Sequence, residues 1–308
     1  MKTNQYIFLL VLFIGFTACG GEQKKGEKRI APIPAVQKTV TKNDLVKMGL
    51  EGKVRSLEIK SFVVKEDGIT ERSVPGDNAE RVTDMLYTFN EQGNILTETG
   101  YMGLERKEFS VKKYAYDEVG LLRRSELTTT DKTMHSLSEF FYDDKGLLKE
   151  KTNLLEQTLV DENGKKKFLR KSQKQLAKAY QGENATETEL YENDTLCEKS
   201  TWKYNEKGNV QEILSSDVRN NKQLTIKTTY DARGNKTGTW FMNEADTVNS
   251  NTYVYNEKND PEIVQLALSG RRWKFTYEYD EQGNWVVQNQ YDETGKLIYR
   301  VRRKYTYY

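Results

Sequence analysis

Few residues in this chain have the type and spacing for chemistry. One histidine, His135, and two cysteines, Cys19 and Cys197, occur among 308 residues. A histidine-based triad would rest on Thr133-Met-His135-Ser, a polar stretch approaching Phe140 that reads as surface, and zinc sites of the usual Cys/His composition are excluded by count. Cys197 reads as a small apolar residue in a strand. Asp and Glu are plentiful, so composition permits a two-carboxylate glycosidase. The regularly placed acids, however, occupy turn positions, where an Asx side chain stabilises the turn itself. Asp280-Glu-Gln-Gly283-Asn284 is acidic but lacks the alternating ligands and distal bidentate glutamate of a calcium loop. The glycines match neither GxGxxG nor GKS/T spacing. The reading is of no enzyme, no metal and no cofactor.

Aromatic side chains are the remaining candidates. Trp273, Phe275, Tyr277 and Tyr279 alternate with Lys274, Thr276 and Glu278, so a strand would show rings on one face and polar groups on the other. Asp280-Glu-Gln-Gly283 then supplies a type I turn and a left-handed glycine, the signature of a three-residue hairpin loop with a bulge. The same pattern recurs six more times, with its turn residue at Gly93, Gly120, Gly146, Gly208, Gly234 and Asn259. Asparagine at 259 fits, because it also tolerates left-handed backbone. Intervals of 24 to 27 residues, apart from one gap of 62 between Gly146 and Gly208, fit paired strands with a turn at each end. That gap holds a degenerate unit with a turn at Asp161-Glu-Asn-Gly164. Lys165 to Tyr180 reads as helix or strand, with strand favoured by its neighbours. Val74-Pro-Gly-Asp-Asn78 reads as a long turn, and Leu50 to Phe62 as a terminal strand. Most of the rings read as packing across strands and covering one another; if a subset is free to stack on sugar or peptide, Trp240, Trp273 and Trp285 are the candidates.

The elements that position these rings begin with an export signal. Lys2 precedes an apolar run from Tyr6 to Phe16, too short for a membrane helix of ~20 residues. Phe16-Thr-Ala-Cys19-Gly follows and resembles a bacterial lipoprotein signal, which implies lipidation of Cys19. Residues 1–18 then form the signal peptide, 19–40 a Gly- and charge-rich tether, and 41–308 one repeat domain, entered through a helical turn near Lys42 to Met48. Net charge is +2, or +1 (47 basic against 46 acidic residues) once Lys2 is removed, which does not point to nucleic acid.

The units Tyr114-Ala-Tyr-Asp-Glu-Val-Gly120, Tyr230-Asp-Ala-Arg-Gly-Asn235 and Tyr277-Glu-Tyr-Asp-Glu-Gln-Gly283 resemble the YD repeats of the rearrangement-hotspot and teneurin-like proteins, over about Tyr87 to Tyr308. That resemblance implies successive hairpins in a curved sheet, an exported location and sugar binding, and transfers no enzymatic activity. The units here are longer than the ~20-residue type and read as too few to close a shell. The expected fold is therefore an all-β, elongated, curved antiparallel meander of ~25-residue hairpins. Its expected role is a non-catalytic, lipid-anchored surface of the cell envelope, with the outer membrane as the site of anchorage, that binds or scaffolds a glycan or envelope protein.

Overall fold

The computed structural model describes residues 43–68, 71–73, 84–103, 105–160, 163–243, 247–267 and 269–308. Cys19, the tether and the turn at 74–78 lie outside them. A one-turn helix, α1 (Asp44–Lys47), is capped by Asn43, whose Oδ1 accepts the Val46 N–H. The strands that follow are β1 (Val54–Val64), β2 (Glu71–Ser73), β3 (Met85–Phe89), β4 (Ile95–Met102), β5 (Lys107–Tyr116) and β6 (Leu122–Thr129). Next come β7 (Met134–Tyr142), β8 (Leu148–Val160), β9 (Lys166–Gln181), β10 (Asn184–Glu192), β11 (Thr195–Tyr204), β12 (Val210–Asp217) and β13 (Lys222–Tyr230). The chain finishes with β14 (Lys236–Met242), β15 (Thr247–Tyr255), β16 (Pro261–Gln265), β17 (Arg272–Tyr279), β18 (Trp285–Tyr291) and β19 (Leu297–Tyr307). The segment left between helix and strand is thus a strand, β9.

The turns at one end of the sheet follow from local chemistry. Between β17 and β18 the Gly283 N–H donates to the Asp280 carbonyl and the Asp280 N–H to the Asn284 carbonyl. Asp280 Oδ1 accepts from the N–H groups of Gln282 and Asn284, and the ladder shifts register between Glu278 and Tyr279. The turn residues Gly93, Gly120, Gly146, Gly208, Gly234, Asn259 and Gly283 all have φ between 66° and 96°. Replacing Gly234 by valine is expected to lower stability by about 1–2 kcal/mol, through left-handed backbone strain alone. A Cβ there would meet only ordinary contacts, Asn209 Nδ2 at 3.5 Å and Lys207 Cδ at 4.0 Å. An unchanged melting temperature would contradict this account of the turn.

The expected open sheet is overturned, because the meander closes on itself. One edge of β1 pairs antiparallel with β19, from Val54 opposite Tyr307 to Val63 opposite Tyr299. Its other edge pairs with β3, from Ser56 opposite Thr88 to Ile59 opposite Met85, and further along with β2. With β3 to β19 joined in sequence order, the result is a closed barrel of 18 strands. The stretch read as a terminal strand is therefore the closing one. Val54 and Leu57 within it have no exposed surface, as suits a strand paired on both sides and covered on one face. Nor are the units too few. Eighteen strands suffice for a ring with a hollow interior, and closure removes the two free edges an open sheet would carry.

Burial shows which face lines the inside. Along β17, Arg272, Lys274, Thr276 and Glu278 are exposed while Trp273, Phe275, Tyr277 and Tyr279 are half-buried. The same alternation holds in β19, where Arg302, Lys304 and Thr306 are exposed and Arg303, Tyr305 and Tyr307 are not. Side chains on a concave wall converge and cover one another, so the half-buried set points inward. The main buried apolar cluster lies in one sector, where Leu45 and Leu50 of the α1 segment pack with Leu57, Ile59, Phe89, Ile95, Tyr299 and Val301.

Candidate functional site

Every turn of the Asx-Gly type at this mouth is preceded by a strand that ends in inward-facing rings. The pairs Tyr87 and Phe89, Tyr253 and Tyr255, Tyr277 and Tyr279, and Tyr305 and Tyr307 have centroids 6.1–6.5 Å apart. Together with Tyr114, Tyr116, Phe140, Tyr142, Trp202, Tyr204 and Tyr230 they form an aromatic girdle inside one end of the barrel. Their hydroxyls tie neighbouring hairpins together. Tyr142 donates to the Leu122 carbonyl (3.0 Å), Tyr230 to Val210 (2.6 Å), Tyr255 to Lys236 (2.7 Å), Tyr277 to Pro261 (2.7 Å) and Tyr305 to Trp285 (3.0 Å). Each acceptor stands two residues past the turn residue of the preceding hairpin. A ring thus covers its neighbour and satisfies a carbonyl at the point where the bulge breaks the ladder.

Segment 43–51 rides along part of this rim. The Leu45 N–H donates to the Gly93 carbonyl (3.0 Å), and Asp44 Oδ2 accepts the Ile95 N–H (3.0 Å) and the Tyr116 hydroxyl (2.7 Å). At the far end of the segment, Asn284 exchanges hydrogen bonds with Glu51 N–H (2.8 Å) and Glu51 carbonyl (2.9 Å). Burial alone would raise the Asp44 carboxyl, but these donors outweigh it and hold it below its usual value. Burial, then the Asp44 bond, pushes the Tyr116 hydroxyl up. Burial, with Glu98 beside it, raises Tyr87 to about 12. Such hydroxyls stay protonated, and that of Tyr116 acts as a fixed donor to Asp44 rather than as a base.

The three tryptophans do not form one surface. Trp273 lies opposite Val264 and Trp285 opposite Tyr279, both on the inner wall. Trp240 lies opposite Lys227, on the outer face, with its ring over Gly238. Trp285 is itself covered by Arg303 and by the edge of Tyr277, 5.9 Å away. Away from the girdle the inner wall is polar, with Ser136 and Ser138 both donating to Asn153 Oδ1. His135 lies on the outer face between Glu126 (3.0 Å) and Glu156 (3.5 Å). Cys197 is buried and its Sγ contacts the Thr195 carbonyl. Among the described residues no group of three or more His, Cys, Asp or Glu side chains is arranged to hold a metal ion.

Sequence reading missed one further turn, Tyr291-Asp292-Glu-Thr-Gly295-Lys296. It has the same motif at the opposite mouth, where Asp292 Oδ1 accepts from Thr294 and Lys296 N–H. Its spacing of 12 residues from Gly283, half the repeat, was the available signal. Sequence reading also passed over Arg303, which sits in the aromatic run of β19.

A family model described as "Uncharacterised protein" matches residues 180–307. No curated protein matches the chain. Among solved structures, a porin-like protein from Bacteroides uniformis aligns at 12% identity and TM-score 0.42, covering 82% of this chain and 98% of that one. A porin-like protein from Bacteroides vulgatus aligns at 11% identity and TM-score 0.34 with the same coverage. The Photorhabdus luminescens Tc holotoxin pore aligns at 12% identity and TM-score 0.25, over 71% of this chain and only 16% of that one. The chain is thus an all-β antiparallel protein with porin-like structural neighbours.

Proposed function

We propose that this is a non-catalytic protein of the cell envelope, held to a membrane by a lipid on Cys19, whose barrel stands in water and uses its interior as a binding chamber. The observation that carries the reading is the polarity of the wall. A barrel that spans a bilayer turns an apolar band about 25 Å tall, with aromatic girdles, toward lipid. Here the rings face inward, and Lys203, Lys227, Lys274, Glu278, Arg302 and Lys304 are exposed on the outside. Membrane attachment then falls to the N-terminal cysteine, and the tether provides reach. Stacked rings and polar groups on a concave wall are the surface a glycan binds best, so a carbohydrate is the favoured ligand class and an envelope protein the second.

Two measurements test this. Cys19→Ala is expected to move the protein from the membrane to the soluble fraction, whereas detergent-dependent fractionation of the variant would mean another anchor. The full chain is expected to bind members of a glycan and peptidoglycan-fragment panel saturably and without turnover. Turnover would make it a hydrolase, and silence across the panel would leave a protein ligand.

A further inference from the structure

We propose that the inner wall beside the mouth is an anion subsite, and that the chamber takes an acidic oligosaccharide whose carboxylate or sulfate meets Arg303. This rests on the chamber reading above and adds the charge of the ligand. Arg303 faces inward from β19, opposite Ile59 of β1. Its guanidinium carbon lies 3.5 Å from the Trp285 ring centroid, so the group is held flat. Nη1 is 3.4 Å from the Tyr305 hydroxyl, and Nε is buried with no hydrogen-bond partner. Among the described residues no carboxylate lies within ion-pair distance of it.

That arrangement differs from three other arginines of the wall. Arg106 is bound by Asp84 and Glu58, Arg123 by Asp117 and Arg219 by Glu192. Asp260 interacts with Arg303 electrostatically, but its Oδ2 is taken by the Tyr279 hydroxyl (2.7 Å), and burial raises its pKa. Around the same wall, inward-facing Lys112 and Lys151 lie over Tyr114 (4.7 Å) and Phe140 (5.5 Å), again without an ion pair among the described residues. Burial and the charge of Lys112 lower the pKa of Lys151, as expected of a cation that lacks an anion. An arginine fixed on a ring presents its remaining N–H groups in one plane, which suits a planar carboxylate or a sulfate edge. The neighbouring tyrosine faces suit the sugar rings.

The full-length protein in mild detergent is titrated with oligogalacturonate, chondroitin sulfate and maltohexaose. Both acidic probes are expected to bind, with affinity falling as salt rises, and maltohexaose at least tenfold more weakly. If chondroitin sulfate alone binds, sulfate is the group recognised; if both bind alike, it is the carboxylate. Arg303→Gln is expected to weaken acidic binding at least tenfold at an unchanged melting temperature. The double variant Lys112→Gln/Lys151→Gln is expected to weaken it severalfold. Equal binding of maltohexaose, or wild-type affinity in both variants, overturns the anion subsite while the chamber reading stands. Failure of both acidic probes also overturns it, and if the wider glycan panel is silent the carbohydrate chamber falls too.

Discussion

Phe89→Ala is expected to destabilise the barrel by about 3–5 kcal/mol, the range for removing a buried aromatic ring from a close-packed site. Phe89 closes β3 and is 1% exposed. It belongs to the one cluster that joins α1, the closing strand β1 and the last strand β19, and its ring stacks on Tyr87. Its carbonyl also accepts the Tyr308 hydroxyl, at 2.6 Å, so the chain terminus is tied to the same residue. Elsewhere the walls are half-exposed and each strand rests mainly on its neighbours, so loss of one ring is shared. Here a cavity would open where both ends of the meander meet. Urea unfolding should show a lower midpoint at constant slope. Phe168→Ala provides the contrast, since that ring is 63% exposed at the β8–β9 tip and its removal should change stability by no more than about 0.5 kcal/mol. A loss below about 1 kcal/mol for Phe89→Ala would mean that the sector is not the lock of the barrel.

The contrast explains what the sequence could and could not say. The hairpins were legible because their cause is local. Asp231 needs only residues up to Asn235 to form its turn, and the preceding Tyr230 reaches back only to Val210. Closure was not legible, because Leu57 meets Tyr305 across almost the whole chain and nothing near either residue names the other. The clue was weaker than a motif: Val54, Leu57 and Ile59 among charged neighbours describe an inner wall, and a solitary edge strand has no need of one. Inward and outward tryptophans were also indistinguishable, since Trp240 and Phe241 are adjacent and only register assigns Phe241 to the side of Ile226. For the candidate site, the rings were visible as a pattern. The cation among them was not, because an arginine in a strand normally reads as a solvated face.

Asp84→Ala is the second large effect, expected at about 3 kcal/mol, the low end for breaking a buried charge pair because Arg106 keeps some contact with water. Asp84 has no exposed surface and stands just before β3. Along that edge β1 is paired with β3 up to Ile59 and with β2 from Phe62 onward. Between the two ladders Asp84 Oδ1 accepts the Ser61 N–H, at 2.7 Å. Oδ2 accepts Arg106 Nε, also at 2.7 Å, while the Asp84 carbonyl takes the Tyr101 N–H. One carboxylate therefore holds β1 between its two ladders and fixes the β4–β5 turn, where Arg106 itself has φ 51°. Alanine would leave the Ser61 amide without this acceptor and Arg106 with Glu58 as its carboxylate partner among the described residues. Asp84→Asn keeps an acceptor for the amide but not the charge, so about half the loss is expected. Amide exchange makes the test specific: protection at Ser61 and its neighbours in β1 should fall in Asp84→Ala more than at β12 or β13, across the barrel. Uniform loss of protection would show that Asp84 supports the fold as a whole and that the seam between β2 and β3 has no separate weakness.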